Sequence, residues 1–406
     1  MIVRKAYKFK LKTTPALSRQ LSDIAGCCRF AWNKFNALNQ TRLSNRQRIM
    51  YYHEMDFWTK IWKTSDEYRF LAFCPAQVLQ QKLLDLDRAY RDGFDKQQPL
   101  KRLPTMRKRG VHDSFRFPDP KQFVIDDRRI KLPKLGWVKF FKSRNIIGKP
   151  KNLTISRYAG EWYVSIGVEN EISTPIHPST RAIGIDLGID KFAAFSTGDY
   201  LDPINSYREL ARKLAKYQVK LARQVKFSTS WRDTKICIGL LHRRIANCRR
   251  DFLHNASTTL SKNHAMIVVE ALNITNMSKS AKGSLECPGK QVRAKSGLNK
   301  SILDQGWGEF RRQLRYKQDW HGGWYVEVSP QYTSQTCAKC GYCARDNREN
   351  QADFRCRQCL HEDNADVNAA KNILAAGHAV LASGSSRISG RKLESLGKSN
   401  QIPAFH

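Results

Sequence analysis

Two Cys-x2-Cys pairs, Cys337 with Cys340 and Cys356 with Cys359, stand fifteen residues apart and constrain this chain more than any other feature. Such pairs can close a tetrahedral thiolate shell around Zn²⁺. Gly341 suits the tight knuckle turn that the first pair requires. The residues between the pairs are polar and offer little apolar core, so the metal must supply much of the folding energy there. With four thiolates the shell has no open position, which makes this zinc structural, not catalytic. Cys343 and His361 lie close enough in sequence to be alternate ligands. The rest of the cysteines do not suggest a disulfide framework. Their total of eleven is odd, and the segment Met1–Lys8 lacks the apolar stretch of a secretory signal, so a reducing, cytoplasmic setting is expected.

Charge limits the partners. Lys and Arg number 71 against 36 Asp and Glu, a formal net charge of +35. A compact protein with that imbalance repels itself unless a polyanion neutralises it, and nucleic acid is the usual polyanion. The excess runs through nearly every segment, which argues against a single basic tail. Hydrophobic residues make up 41%, enough for real cores, and the length calls for two or three of them. No run of about 18 apolar residues is present, so no membrane span is expected.

The chain reads as strands and helices in alternating blocks. Tyr7, Phe9 and Leu11 alternate with Lys8 and Lys10, a strand with one buried face. Thr14-Pro15 reads as a helix cap with proline at the first position, followed by Leu17, Leu21, Ile24, Cys28, Trp32 and Phe35 at helical spacing. A second helix starts near Pro75. Lys101, Arg102, Arg107, Lys108 and Arg109 form a basic loop suited to phosphate contact. Residues 114–170 are β-rich, with a hairpin turn at Ala159-Gly160. Residues 172–180 read as a linker and a domain boundary. Beyond it come an apolar strand ending at Asp186, with a hairpin partner at 191–196, and a basic helical stretch over 206–262 carrying Arg243, Arg244, Arg249 and Arg250. A second apolar strand ends at Glu270, residues 278–298 are expected to be mobile, one helix is expected over 302–319, and a strand over 324–329. The last helix is expected over about 366–376, and a disordered tail from 379 onward.

Three carboxylates carry the chemistry. Asp186 and Glu270 end buried strands, and Asp366 opens a helix. Acids at strand ends beside a helix N-terminus can converge into an oxygen-rich cluster, which suits Mg²⁺, and paired metals of that kind serve phosphodiester hydrolysis. Singly, each has a plainer reading: a turn cap, a solvated strand end, an N-cap.

The segments Gly184-Ile185-Asp186-Leu187-Gly188, Val269-Glu270-Ala271-Leu272, the four cysteines and Asp366-Val367-Asn368-Ala369-Ala370-Lys371-Asn372-Ile373 occur in that order. Together with Asp304–Phe310 and Lys131–Gly136, they resemble the transposon-encoded TnpB family, relatives of the compact type V CRISPR nucleases. The resemblance implies an α+β multidomain chain. A β-barrel-like wedge (1–12 and 111–174) would carry an inserted helical recognition lobe (13–110). An RNase H-like RuvC domain (181–336 and 360–378) would carry the zinc module (337–359). It implies RNA-guided cleavage of DNA by Asp186, Glu270 and Asp366 with Mg²⁺, Asp363 being a weaker alternative for the third acid. The implied partners are a guide RNA from the transposon end and a double-stranded target bearing a short adjacent motif, in a bacterial cytosol. Tyr52 and Gln80 fall near positions that relatives use to read that motif. Two other readings stay open at this point: an RNA-guided DNA-binding regulator that does not cut, and a transposase that joins strands.

Overall fold

The computed structural model describes residues 1–111, 113–348, 350 and 352–383. They divide into two compact units, Met1–Ser173 and Thr174–His406, the division falling inside the 172–180 stretch.

In the first unit, strand β1 (Ile2–Lys10) buries Val3 and Phe9, with Leu11 just beyond, and leaves Lys8 and Lys10 exposed. The Leu17 amide donates to Thr14 Oγ1 at 3.2 Å, and with Pro15 at the first position helix α1 (Pro15–Ser44) begins there. Its buried face holds Leu21, Ile24, Cys28, Trp32 and Phe35. The same face buries two amides that apolar periodicity does not foretell. Asn39 accepts from the Met50 amide at 2.8 Å and donates to its carbonyl at 3.1 Å, and Asn36 accepts from the Tyr90 hydroxyl at 2.7 Å.

Helix α2 (Tyr52–Thr64) was not expected from the pattern, because its aromatic residues point in several directions. Only Met55 and Thr59 are buried, while Phe57 and Trp58 are exposed. Helix α3 (Ala76–Phe94) has the clean stripe Leu79, Leu83, Leu86, Tyr90. Besides two 3-10 helices, Asp66–Phe73 and Pro120–Gln122, the remaining elements are strands: β2 (Ser114–Phe117), β3 (Val124–Asp126), β4 (Arg129–Leu132), β5 (Gly136–Lys139), β6 (Lys149–Tyr158) and β7 (Glu161–Glu171). One sheet has the order β1-β7-β6-β2 and a second the order β3-β4-β5. The Leu11–Phe140 bridge and the Phe141 amide on the Lys10 carbonyl at 2.9 Å join the two at one corner. The β6–β7 hairpin turns on Ala159 and Gly160, both left-handed.

The second unit is built on a five-stranded sheet. Its strands are β8 (Ala182–Asp186), β9 (Ala193–Phe195), β10 (Tyr200–Leu201), β11 (Met266–Glu270) and β12 (Trp324–Val328), in the order β10-β9-β8-β11-β12. Strand β9 pairs antiparallel with both β8 and β10; β11 and β12 run parallel to β8. Strand β11 is buried along its whole length, which explains why it reads as the unbroken run Met-Ile-Val-Val. Helices α4 (Ser206–Arg223) and α5 (Thr229–Asn263) form the basic helical stretch. Asp304 ties them to the next element: it accepts from the Tyr207 amide at 2.9 Å and from Arg249 at 2.7 Å.

Three expectations are corrected here. Residues 292–298 belong to helix, not to a mobile segment: after the short α6 (Ile274–Met277), α7 runs from Val292 to Gln305. The single helix expected over 302–319 is two, because Gly306 adopts a φ of 74° and breaks the ladder before α8 (Trp307–His321). A small hairpin, β13 (Asp353–Arg355) with β14 (Glu362–Asn364), leads into the final helix α9 (Ala365–Ala382). That helix outlasts the expected end at 376 and covers 379–382, which had been assigned to the tail; the remainder of the tail lies outside the described residues. No helix is long and apolar enough to cross a membrane, among the described residues.

Candidate active site

Parallel pairing brings two of the acids side by side. Ile185 is opposite Val269 in the β8–β11 ladder, so Asp186 and Glu270 leave adjacent strands at the same end. The third acid arrives through a glycine. A Cβ on Gly184 would run into the Ala370 carbonyl and the Leu374 backbone, so α9 lies directly on β8 with no side chain between them. Asp366 is one helical turn before Ala370, and Asp186 is two residues beyond Gly184. Helix α9 therefore delivers its first turn to the end of the strand. Its N-cap is Asn364, not Asp366: Asn364 Oδ1 accepts from the Asp366 amide at 3.0 Å, leaving the Asp366 carboxylate free of capping duty.

The electrostatics record this convergence. Burial, then the neighbouring Glu270 and Asp366, push the Asp186 carboxyl up to about 7. Burial also raises Glu270, which is 7% exposed and accepts a 2.7 Å bond from the Thr333 hydroxyl. Burial raises Asp366, opposed by Arg348, whose guanidinium stands 3.6 Å from Asp366 Oδ1. Asp363, the alternative third acid, is engaged elsewhere: Lys371 holds it at 2.7 Å, and in β14 it stands opposite Phe354 of β13. Asp186 feels both other acids, but the three are not drawn within 4.8 Å, as the four cysteines are. Anions disfavoured by burial and by each other form a donor set that a hard divalent cation relieves, so the residues present fit Mg²⁺.

The cysteines do close. The sulfurs of Cys337, Cys340, Cys356 and Cys359 all lie within 4.8 Å of one another, with Cys337–Cys359 at 3.7 Å and Cys340–Cys356 at 3.6 Å. A tetrahedral site with Zn–S bonds of about 2.3 Å needs sulfurs roughly 3.8 Å apart, so this cluster fits zinc. Cys343 and His361 are outside it. Gly341 makes the first knuckle at a φ of 78°, and Leu360 makes the second at a φ of 57°. The module is tied to α9 by two asparagines of the 366–373 segment. Asn368 accepts from the Ala338 amide at 2.9 Å and donates to the Thr336 carbonyl at 2.8 Å, while Asn372 donates to the Thr333 carbonyl at 2.9 Å. Thr333, Arg348, Asn368 and Asn372 carried no isolated motif signal; only the two asparagines lay within a quoted segment.

The basic candidates separate. Arg249 is spent on Asp304, and Arg107 stacks over the Trp32 ring at 3.6 Å with its backbone held by Asn33, so both are internal ties. Arg102, Lys108, Arg109, Arg244 and Arg250 are exposed; Lys101 is exposed beside Asp92, and Arg243 is half-buried. Tyr52 opens α2 and Gln80 lies on α3, both half-buried.

Comparison with known proteins follows the same lines. A family described as "Probable transposase" matches residues 165–281. One described as "Cas12f1-like, TNB domain" matches 307–373, and a "Helix-turn-helix domain" matches 1–48, which here is β1 and α1. The chain is 48% identical over 389 residues to a putative RNA-guided DNA endonuclease, InsQ, of Escherichia coli (strain K12), covering 96% of each. It is 30% identical to a putative RNA-guided DNA endonuclease of Streptomyces pristinaespiralis, covering 94% of this chain and 91% of that one. Among solved structures, the mini-RNA-guided endonuclease CRISPR-Cas_phi3 aligns with 92% of each chain at 11% identity and a TM-score of 0.46.

Proposed function

The chain belongs to the TnpB family, and from that membership we propose that it is an RNA-guided DNA endonuclease whose cutting centre is Asp186, Glu270 and Asp366. One observation carries the site: the β8–β11 register sets Asp186 beside Glu270 at one strand end, and the bare Gly184 lets α9, with Asp366 in its first turn, lie directly against β8. That is the signature of acids gathered for a cation, not of three separate caps.

The order β10-β9-β8-β11-β12, antiparallel then parallel, supports reading this sheet as a RuvC-type, RNase H-like core, with 337–359 as its zinc module. The joined sheets of the first unit support reading 1–12 and 111–174 as a barrel-like wedge carrying the helices of 13–110. When bound at the three acids, Mg²⁺ supplies positive charge against the scissile phosphate and the departing oxygen. The chain's own residues do the rest. Thr333 fixes the Glu270 carboxylate, Arg348 offsets the charge of Asp366, and exposed cations such as Arg244 and Arg250 neutralise backbone phosphates. Sequence would be read by pairing with a guide RNA from the transposon end. The protein would read a short adjacent motif, where Gln80 can pair two hydrogen bonds with an adenine edge and Tyr52 can stack.

The test is direct. The chain is purified after expression with its flanking transposon DNA, its bound RNA is sequenced, and a matching plasmid library is offered with Mg²⁺. Asp186→Ala is expected to abolish cutting and keep the RNA. Metal-dependent cutting that survives this substitution would overturn the assignment of the site.

A further inference from the structure

The first unit contains a cavity of about 680 Å³ that the cutting centre does not use. Its apolar lining is Ile24, Cys27, Phe70, Phe73 and Leu135. Arg29, Arg109, Lys134 and Arg157 line it as well, four cations against the carboxylates of Asp23 and Asp113. Asp113 is already engaged by Arg29 at 2.8 Å, which leaves Arg109, Lys134 and Arg157 against Asp23 alone. Phe73 is 75% exposed and Phe70, packed edge-on to Phe30, is 40% exposed, so both rings remain accessible to a stacking partner. Gly26 sits on the cavity side of α1, mid-helix, where glycine costs about 1 kcal/mol relative to alanine. A Cβ there would meet nothing closer than Arg29 at 3.7 Å, so a larger side chain at this position has the cavity to enter.

We infer that this cavity receives one unstacked nucleotide of the bound RNA, its base against Phe70 and Phe73 and its phosphates on Arg109 and Arg157. Single-stranded RNA is recognised in this way, by bases splayed onto aromatic side chains with cations on the backbone. A paired target duplex keeps its bases stacked and offers no such group. The volume admits a base with its sugar, and the mixed lining matches a nucleotide better than a purely apolar ligand. The inference rests on the RNA-binding reading above.

The test uses the full chain with its co-purified RNA. Ultraviolet cross-linking and mass spectrometry are expected to find a nucleotide adduct on the peptide containing Phe70 and Phe73. Gly26→Leu fills the cavity without removing a charge, and Phe73→Ala removes an exposed ring. Each is expected to abolish the adduct and weaken RNA binding roughly tenfold, with the circular dichroism spectrum unchanged. RNA that co-purifies and cross-links only elsewhere overturns the cavity assignment and leaves the proposed function intact. An adduct with target DNA instead of RNA also overturns it. Absence of any co-purified RNA overturns both readings.

Discussion

Asp186 is held at a cost to the fold. Its carboxyl is raised to about 7, far above the ordinary aspartate value, so between that ordinary value and 7 the folded chain binds a proton that the unfolded chain does not. Stability contributed by this position therefore falls as pH rises through that window, and the full penalty is present above it. Asp186→Asn removes the penalty and, with it, the cutting. In a chelator at pH 8 the variant is expected to be more stable than the parent by about 1–3 kcal/mol. The gain should shrink as the pH is lowered toward 5, where the parent's carboxyl is already protonated. Denaturant titrations at the two pH values measure this, and a pH-independent difference would mean that neither burial nor the neighbouring acids raise this carboxyl. The acid itself was legible in the sequence as the end of Ala-Ile-Gly-Ile-Asp. Thr333 on Glu270 and Arg348 beside Asp366 were not, since each acts on the site through space and sits in a segment without apolar periodicity.

Helix α9 is the element that assembles the site, and it does so with one close approach and two amides. Gly184 lets the helix backbone rest on β8. Gly184→Ala is expected to push α9 away, cost about 2–4 kcal/mol as an overpacked contact, and lower cutting at least tenfold through displaced Asp366, while the RNA still binds. Cutting at the parent rate would show that the approach is not what places Asp366. Asn368 and Asn372 then fasten the cysteine module to the same helix, and Thr333 carries that attachment to Glu270. Stripping zinc with a thiol-selective reagent or a strong zinc chelator is accordingly expected to reduce cutting even in excess Mg²⁺. Cutting restored by Mg²⁺ alone would separate the two sites. The elements most legible in the sequence were those with a single demand: the unbroken apolar β11, the capped α1, the paired cysteines. Those with two demands were not. Helix α2 turns aromatic residues to solvent as well as to the core, and the break between α7 and α8 depends on one glycine whose left-handed turn looks like any other helical position.

At the scale of the molecule, charge sets how the chain behaves with and without its partner. Helix α4 alone presents Arg208, Arg212, Lys213, Lys216, Lys220 and Arg223 against Glu209, and the whole chain carries +35. Without nucleic acid this is self-repulsion, which salt screens within about 10 Å at 0.1 M. With RNA bound the same charges are neutralised by phosphate, and salt competes with them by reversing counterion release. The two states should therefore answer salt with opposite signs. Raising salt from about 50 to 200 mM is expected to raise the melting temperature of RNA-free protein. Over the same range the affinity for RNA should fall by about 10³-fold or more if six or more phosphates are contacted. Scanning calorimetry on the stripped protein and filter binding on the complex provide the two slopes. An RNA affinity indifferent to salt would mean that the basic surface is merely solvated, and the polyanion argument that first pointed to nucleic acid would fail with it.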